Sequence, residues 1–355
     1  MNLIRKIIKE GQMGQNLGFN IKNFPKFNTL IGGLRKKAYI VVGAGEKIGK
    51  TTFVDNLFIC GVILDLYEKF GNWDEVSKRI KYLYFSLEVP KEDKMCELIS
   101  YILVSKYDIS LDADVISGSK FDENNCQVLI PQEIKQVIED IINEYVIPIY
   151  GDYSEDGVKI TDGIIDIYDT SINPTGINNL IYTLSEKYGK LHKKEGANGK
   201  MYNTHYENTT GVHLVVVLDH IRAVKEENGQ HDKKKLADLT STYFRRIMNL
   251  FKWTMIAVVH TNRSSVDNET LKKLGTEFHV TSDMIKDTSN LAEDCTCLIT
   301  ICDPFDPKYG LSVSFGLERR KAGEINRLVS IVSSRKSKKK LDNFFIFKDK
   351  KFAEC

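Results

Sequence analysis

No apolar run in this 355-residue chain approaches the roughly 20 residues that span a bilayer, and the first residues lack the apolar core of a secretory signal. A helical membrane protein is excluded, and the expected location is the cytoplasm (the host's, for a phage-encoded chain). An excess of one charge is also missing. Fifty Lys and Arg against 48 Asp and Glu leave a formal net charge of +2, so only the placement of charge can argue for a nucleic-acid partner. Cys60, Cys96, Cys126, Cys295, Cys297, Cys302 and Cys355 lack the spacing of a disulfide framework or a zinc site, which suits a reducing compartment. Cys295 and Cys297, two apart in an apolar run, are expected on one face of a strand as core thiols. Internal repeats and low-complexity linkers are absent as well, which excludes solenoids and disordered tails. What remains is 42% hydrophobic and 28% charged, an ordinary globular composition with enough chain for a full core.

The most informative stretch is Ala44-Gly45-Glu46-Lys47-Ile48-Gly49-Lys50-Thr51, followed by Thr52. It reads A-x-x-x-x-G-K-T, with an apolar run (Ala38 to Val42) before it and a long apolar-periodic segment (Thr52 to Phe70) after it. Strand, tight loop and helix in that order are the setting of a P-loop. Its backbone N–H groups and the positive end of the helix wrap a triphosphate. Lys50 is placed to reach the β- and γ-phosphates of ATP, and the Thr51 hydroxyl to complete the coordination of Mg2+.

From residue 19 onward, strand candidates alternate with helical patterns, the signature of a parallel α/β sheet. The clearest strands are Ala38–Val42, Tyr82–Phe85, Leu214–Leu218, Met255–Val259 and Thr296–Ile301. Leu236, Leu239, Tyr243, Ile247 and Leu250 predict one apolar face of a helix. Leu328–Val332 and Phe344–Phe347 flank a basic turn and predict a C-terminal antiparallel hairpin. Residues 1–18 form a separate unit, opening with an amphipathic helix whose stripe is Leu3, Ile4, Ile7 and Ile8. Residues 19–355 form the main domain, with insertions near 151–163 (an extra hairpin) and 190–211.

A magnesium site needs a second carboxylate. His213-Leu-Val-Val-Val-Leu-Asp219 supplies one at the end of a buried strand. The residue after it is His220, not the glutamate that polarises the attacking water in many ATPases. Glu88, at the C-terminal end of the strand Tyr82–Phe85, takes that place, because adjacent strand ends in a parallel sheet converge on the ligand crevice. The strand Met255–Val259 delivers His260 to the same rim as a candidate sensor of the γ-phosphate. Arg335, in the basic turn of the terminal hairpin, is the candidate that stabilises developing charge from an adjoining subunit.

These elements, in this order, resemble the DnaB-type hexameric replicative helicases over roughly residues 18–347. The resemblance is carried by Gly33-Leu34, Ala44–Thr51, Phe85-Ser-Leu-Glu88-Val-Pro90, Asp219, Asn262-Arg263-Ser264 and Leu291-Ala-Glu-Asp294. It implies a RecA-like ATPase core, a homo-hexameric ring, ATP and Mg2+ at subunit interfaces, and 5′ to 3′ translocation on single-stranded DNA. By resemblance, Lys50, Glu88, His260 and Arg335 do the chemistry, Thr51 and Asp219 hold the metal, and the N-terminal helix packs on the next subunit. Arg222–Lys235 and Arg263–Lys273 are the candidate DNA loops, and a primase or a loader is the implied partner. The chain departs from the family pattern at Ser333, where a lysine usually precedes the arginine finger, and it lacks the helical N-terminal domain that contacts primase. The competing expectations are a RecA-like ATPase that does not unwind (a recombination mediator, helicase loader or signalling ATPase) and a replisome scaffold with a weakened site.

Overall fold

The computed structural model describes residues 4, 5, 8, 18–196, 199–227, 229, 231–261, 282, 285, 289–303, 325–334, 340–348 and 351–354. Its frame is a nine-stranded sheet. In chain order the strands of this sheet are β1 (Tyr39–Ala44), β2 (Ile80–Ser86), β3 (Ile165–Tyr168), β6 (His213–Asp219), β7 (Thr254–His260), β8 (Cys297–Cys302), β9 (Ile325–Ser334), β10 (Lys340–Lys348) and β11 (Lys351–Glu354). Between β3 and β6 a separate two-stranded hairpin forms from β4 (Gly189–Glu195) and β5 (Met201–Asn208). The order across the large sheet is β11-β10-β9-β8-β1-β7-β6-β2-β3. The strands from β8 to β3 run parallel, and β9, β10 and β11 are antiparallel to their neighbours.

The central strands are buried on both faces, and their sequences show it. β1, β2 and β6 are buried along their whole length, so they read as continuous apolar runs instead of alternating ones. Alternation still decides which layer each side chain enters. Ile40, Val42, Tyr82, Tyr84, Val215, Val217, Ile256 and Val258 face a layer containing Phe53, Leu57 and Phe58 of the helix after the P-loop. Tyr39, Val41, Leu83, Val216 and Met255 face the other, with Ile181, Phe244, Phe251 and Trp253.

The helix after the P-loop is Lys50–Val54, a π-helical turn Asp55–Cys60, then Gly61–Phe70. It starts at Gly49, whose φ of 95° lies in the left-handed region. A Cβ there would also stand 3.3 Å from the Phe347 ring and 3.4 Å from that of Phe352, so the backbone favours glycine and the space beside it is tight. The helix ends on Gly71 at φ 75°, a left-handed cap.

Several expectations shift. The helix Lys233–Phe251 buries Leu236, Ala237, Thr240, Ser241, Phe244, Ile247, Met248 and Phe251, while Leu239, Tyr243 and Leu250 sit at its margin. Its inner face carries hydroxyls that are satisfied locally. Thr240 Oγ1 donates to Leu236 O at 2.8 Å and Ser241 Oγ to Asp294 Oδ2 at 3.0 Å, so polar residues fill a stripe that a hydrophobic count assigns elsewhere. Cys295 and Cys297 are both buried but enter opposite layers, because β8 begins only at Cys297 and strand alternation does not reach back to Cys295. In the segment 151–163 the pairing is a single antiparallel bridge, Tyr153 with Lys159. The segment 190–211 carries the well-formed β4–β5 hairpin. Of the N-terminal segment, Ile4, Arg5 and Ile8 are helical, with Ile4 and Ile8 exposed; Leu3 and Ile7 lie outside the described residues.

Candidate active site

The register of the parallel strands assembles the site. Ala44 at the end of β1 pairs with His260 at the end of β7, and Ser86 at the end of β2 pairs with Asp219 at the end of β6. By alternation all four lie on the face that carries the P-loop helix. Gly45, Glu46, Lys47, Ile48 and Gly49 form the loop between β1 and the helix, and Thr51 and Thr52 lie in its first turn. From that turn the Thr51 Oγ1 donates to Asp219 Oδ2 at 2.8 Å. Tyr84 OH reaches the same oxygen at 3.4 Å. Asp219 is 1% exposed, and its other oxygen, Oδ1, is buried without a hydrogen-bond partner among the described residues. A hydroxyl beside a buried, half-satisfied carboxylate is a hard oxygen pair suited to Mg2+, which binds through one or two such groups and its own waters.

Lys50 is buried. Its ammonium donates to Gly45 O at 3.1 Å and lies 3.1 Å from His260 Nδ1. Burial pulls its pKa below the ordinary lysine value, while Asp219 and Glu88 oppose the shift. Glu88 rides on a fixed turn: Ser86 Oγ donates to Val89 O at 2.6 Å, and Leu87 N donates to Asp219 O at 2.7 Å. Partial burial raises the Glu88 pKa, Asp219 raises it further, and Lys50 pulls it down. A carboxylate with raised pKa beside the Lys50 charge is a candidate general base.

Glu88, His220 and His260 each bring a ligating atom within 4.8 Å of the others. Such a trio invites a metal, but the hydrogen bonds decide against one. Arg222 N donates to His220 Nδ1 at 3.2 Å, and an ammonium at Lys50, which can only donate, makes His260 Nδ1 an acceptor. A ring that accepts at Nδ1 carries its proton on Nε2. The rings, 4.2 Å apart, offer N–H groups instead of lone pairs, which fits a phosphoryl oxygen better than a cation.

Three supports escaped the motif reading. Below the P-loop helix, Lys94 is 2% exposed and pairs with Asp55 Oδ2 at 2.7 Å and Glu97 Oε2 at 2.9 Å. Burial opposes its charge, but the two carboxylates outweigh burial and hold it above the ordinary value. Arg327 Nε donates to Ile48 O of the P-loop at 3.0 Å, from β9. The His220 ring backs His260, and in the sequence it registered only as the missing glutamate. A Lys three residues before Glu97 and 39 after Asp55 carries no motif, so only the fold could bring that cluster together.

Arg335 lies outside the described residues, as do Asn262, Arg263 and the loop stretch 263–273. Its predecessor Ser334 pairs with Cys297 at the start of β8, the opposite end of the strands from the P-loop. At about 3.3 Å per residue, those ends stand roughly 17 Å apart along the sheet. Arg222 lies in the short 3₁₀ segment Ile221–Ala223 at the nucleotide end, leading into the loop before the helix Lys233–Phe251.

Compared by sequence, the chain matches no protein-family model and no curated protein. Compared by structure, it is similar to a solved chain described as an ATPase domain, with TM-score 0.64 and 13% identity, over 100% of this chain and 98% of that one. It is also similar to a DnaB-like replicative helicase described with its interactions with primase, with TM-score 0.63 and 13% identity. That match covers 100% of this chain and 66% of the other, so the chain spans about two thirds of the helicase's length. No helix among the described residues is long and apolar enough to cross a membrane. The fold is that of a RecA-like ATPase domain, an α/β sheet mostly parallel and closed at one edge by an antiparallel hairpin.

Proposed function

We propose that the chain is an ATP-hydrolysing motor that works as a hexameric ring, in the DnaB-type manner by resemblance, and unwinds DNA by moving along one strand. The observation that carries this reading is the convergence of Lys50, Thr51, Asp219, Glu88 and His260 at adjacent strand ends of a RecA-like sheet. In it, the P-loop backbone and Lys50 hold the β- and γ-phosphates. Thr51 and Asp219 would hold Mg2+, which would supply charge neutralisation on those phosphates. Glu88 takes the proton of the attacking water, and the imidazole N–H groups of His260 and its neighbour His220 read whether the γ-phosphate is still there.

The position of Ser334 supports a shared active centre. Ser334 itself lies at the sheet end opposite the P-loop, which favours a reading in which Arg335 serves the γ-phosphate bound by a second copy. The basic stretch after Asp219 lies at the nucleotide end, where hydrolysis can be felt, and supports a grip on single-stranded DNA through phosphates. A primase or loader as partner rests on the resemblance and on the primase interactions of the helicase matched above.

Lys50→Ala should abolish phosphate release from ATP and unwinding of a forked duplex. Arg335→Ala should abolish hydrolysis while leaving nucleotide binding intact. ATP hydrolysis without strand separation on any fork would overturn the helicase reading and favour a non-unwinding RecA-like ATPase; persistent hydrolysis in Lys50→Ala would overturn the P-loop assignment itself.

A further inference from the structure

The end of the sheet opposite the nucleotide site holds a second cluster of charge that the motor reading does not use. The hairpin β4–β5 stands against the C-terminal end of the helix Lys233–Phe251. Its root is fixed by Tyr206, whose hydroxyl donates to Ser185 O at 2.7 Å and whose ring meets Phe251 and Trp253 at 4.9 and 5.3 Å. Between hairpin and helix lies a cleft of about 520 Å³, walled by Tyr202, His205, Tyr206, Arg246, Asn249 and Lys252 among others, with no carboxylate in its lining.

Just beside it the chain enters β1 through Lys36 and Lys37, and Lys37 N donates to Lys252 O at 2.9 Å. Arg246, Lys252, Lys36 and Lys37 are all exposed, and among the described residues none of them pairs with a carboxylate. Lys37 and Lys252 lie close enough to repel: the Lys252 pKa falls through burial and then through the charge of Lys37. Two cations at a helix C-terminus complement its dipole. That accounts for Arg246 and Lys252 but not for Lys36 and Lys37, which come from another segment. Like charges gathered without counter-charge cost free energy that an anionic ligand would recover.

The aromatic content narrows the ligand. Tyr202 is 50% exposed, a half-open ring on the rim of a cationic cleft. Phosphates for the cations and flat bases for the rings are the two halves of single-stranded nucleic acid, bound without sequence preference. We infer that this cleft and the adjoining lysines form a second binding surface for single-stranded nucleic acid, at the end of the sheet away from the nucleotide. It does not depend on ATP being hydrolysed, or on where a strand runs through a ring.

The test uses the full chain without nucleotide and a fluorescein-labelled oligo-dT, with anisotropy followed across a salt series. Wild type should bind with an affinity that falls steeply with salt. Arg246→Ala with Lys252→Ala should weaken binding at least tenfold and reduce the slope of log K against log salt by about 1.4, roughly 0.7 per cation removed from a single strand. Tyr202→Ala should weaken binding roughly fivefold or more with the slope unchanged, as loss of stacking requires. Each variant should keep the wild-type melting temperature and basal ATP hydrolysis, and Lys50→Ala should bind the oligonucleotide as wild type does. Unchanged affinity and slope in the Arg246/Lys252 variant overturns the inference. So does displacement of the oligonucleotide by polyglutamate at equal charge, which would mark the cleft as a site for acidic protein.

Discussion

His213 opens the strand that ends in Asp219, and it is a buried group whose protonation the fold opposes. It is 2% exposed, with Nε2 2.9 Å from Thr254 Oγ1 and its ring 5.6 Å from that of Trp253. Burial first, and the charge of Lys36 second, push its pKa from 6.5 down to about 3. The folded protein therefore keeps it neutral under mildly acidic conditions in which the unfolded chain protonates it. The stability it contributes is complete above the unfolded pKa of 6.5 and is lost as pH falls from there towards 3. At pH 5 the loss is set by the roughly 1.5 units below the unfolded value, at about 1.4 kcal/mol per unit, or about 2 kcal/mol. A folded value anywhere well below 5 gives the same figure, so the expectation does not hang on its precise position. Urea unfolding at pH 7.5 and pH 5.0, followed by tryptophan fluorescence, measures the difference directly. His213→Gln keeps a hydrogen-bonding side chain but cannot titrate, so its drop between the two pH values should be smaller than that of wild type by about 2 kcal/mol. The other groups that titrate in this range are common to both proteins and cancel. Equal drops in the two would refute the argument that burial holds His213 neutral.

Three other outcomes follow from the site. Glu88→Gln should lower ATP turnover by about 10²–10⁴ with nucleotide affinity kept. In the unaltered protein the acid limb of the pH–rate profile should lie above 4.5, since burial and Asp219 raise the group that must be ionised; a limb at or below that value refutes the assignment. Lys94→Met should cost about 3–5 kcal/mol by stranding Asp55 in the interior, whereas Lys94→Met combined with Asp55→Leu should recover most of it, and a double variant as unstable as the single one in urea would contradict the pairing. Gly49→Ala, forced into the left-handed region against Phe347 and Phe352, should cost at least about 1–2 kcal/mol and weaken nucleotide binding; unaltered affinity in a calorimetric titration would show that the loop adapts.

The nucleotide end was legible because its chemistry is local in sequence. A strand, a glycine-bearing loop and Lys50-Thr51 must be contiguous to work, and the apolar runs ending in Asp219 and His260 announce buried parallel strands that share a rim. Parity along those strands also predicts that Asp219 and His260 face the P-loop helix, as the register places them. What escaped notice depends on distance along the chain. The Lys94 cluster, the Arg327 contact to Ile48 and the Glu354 carboxylate that accepts from Lys26 N at 3.0 Å and Phe27 N at 2.6 Å join segments with no shared pattern. The buried stripe of the helix Lys233–Phe251 was only partly legible for a different reason: Leu236 and Ile247 are buried as expected, but Thr240 and Ser241 satisfy their hydroxyls and pack as small residues, so hydropathy misplaces the edge of the stripe.

The P-loop is braced from the far end of the polypeptide. Ile48 is held by Arg327, 279 positions later, and Asn56 receives the Phe352 amide from 296 positions later. A ribosome adding roughly 5–20 residues each second exposes this loop tens of seconds before its buttress has been made. Until then the loop has its glycines but not its walls, so a nascent chain carries the loop sequence well ahead of the contacts that shape it.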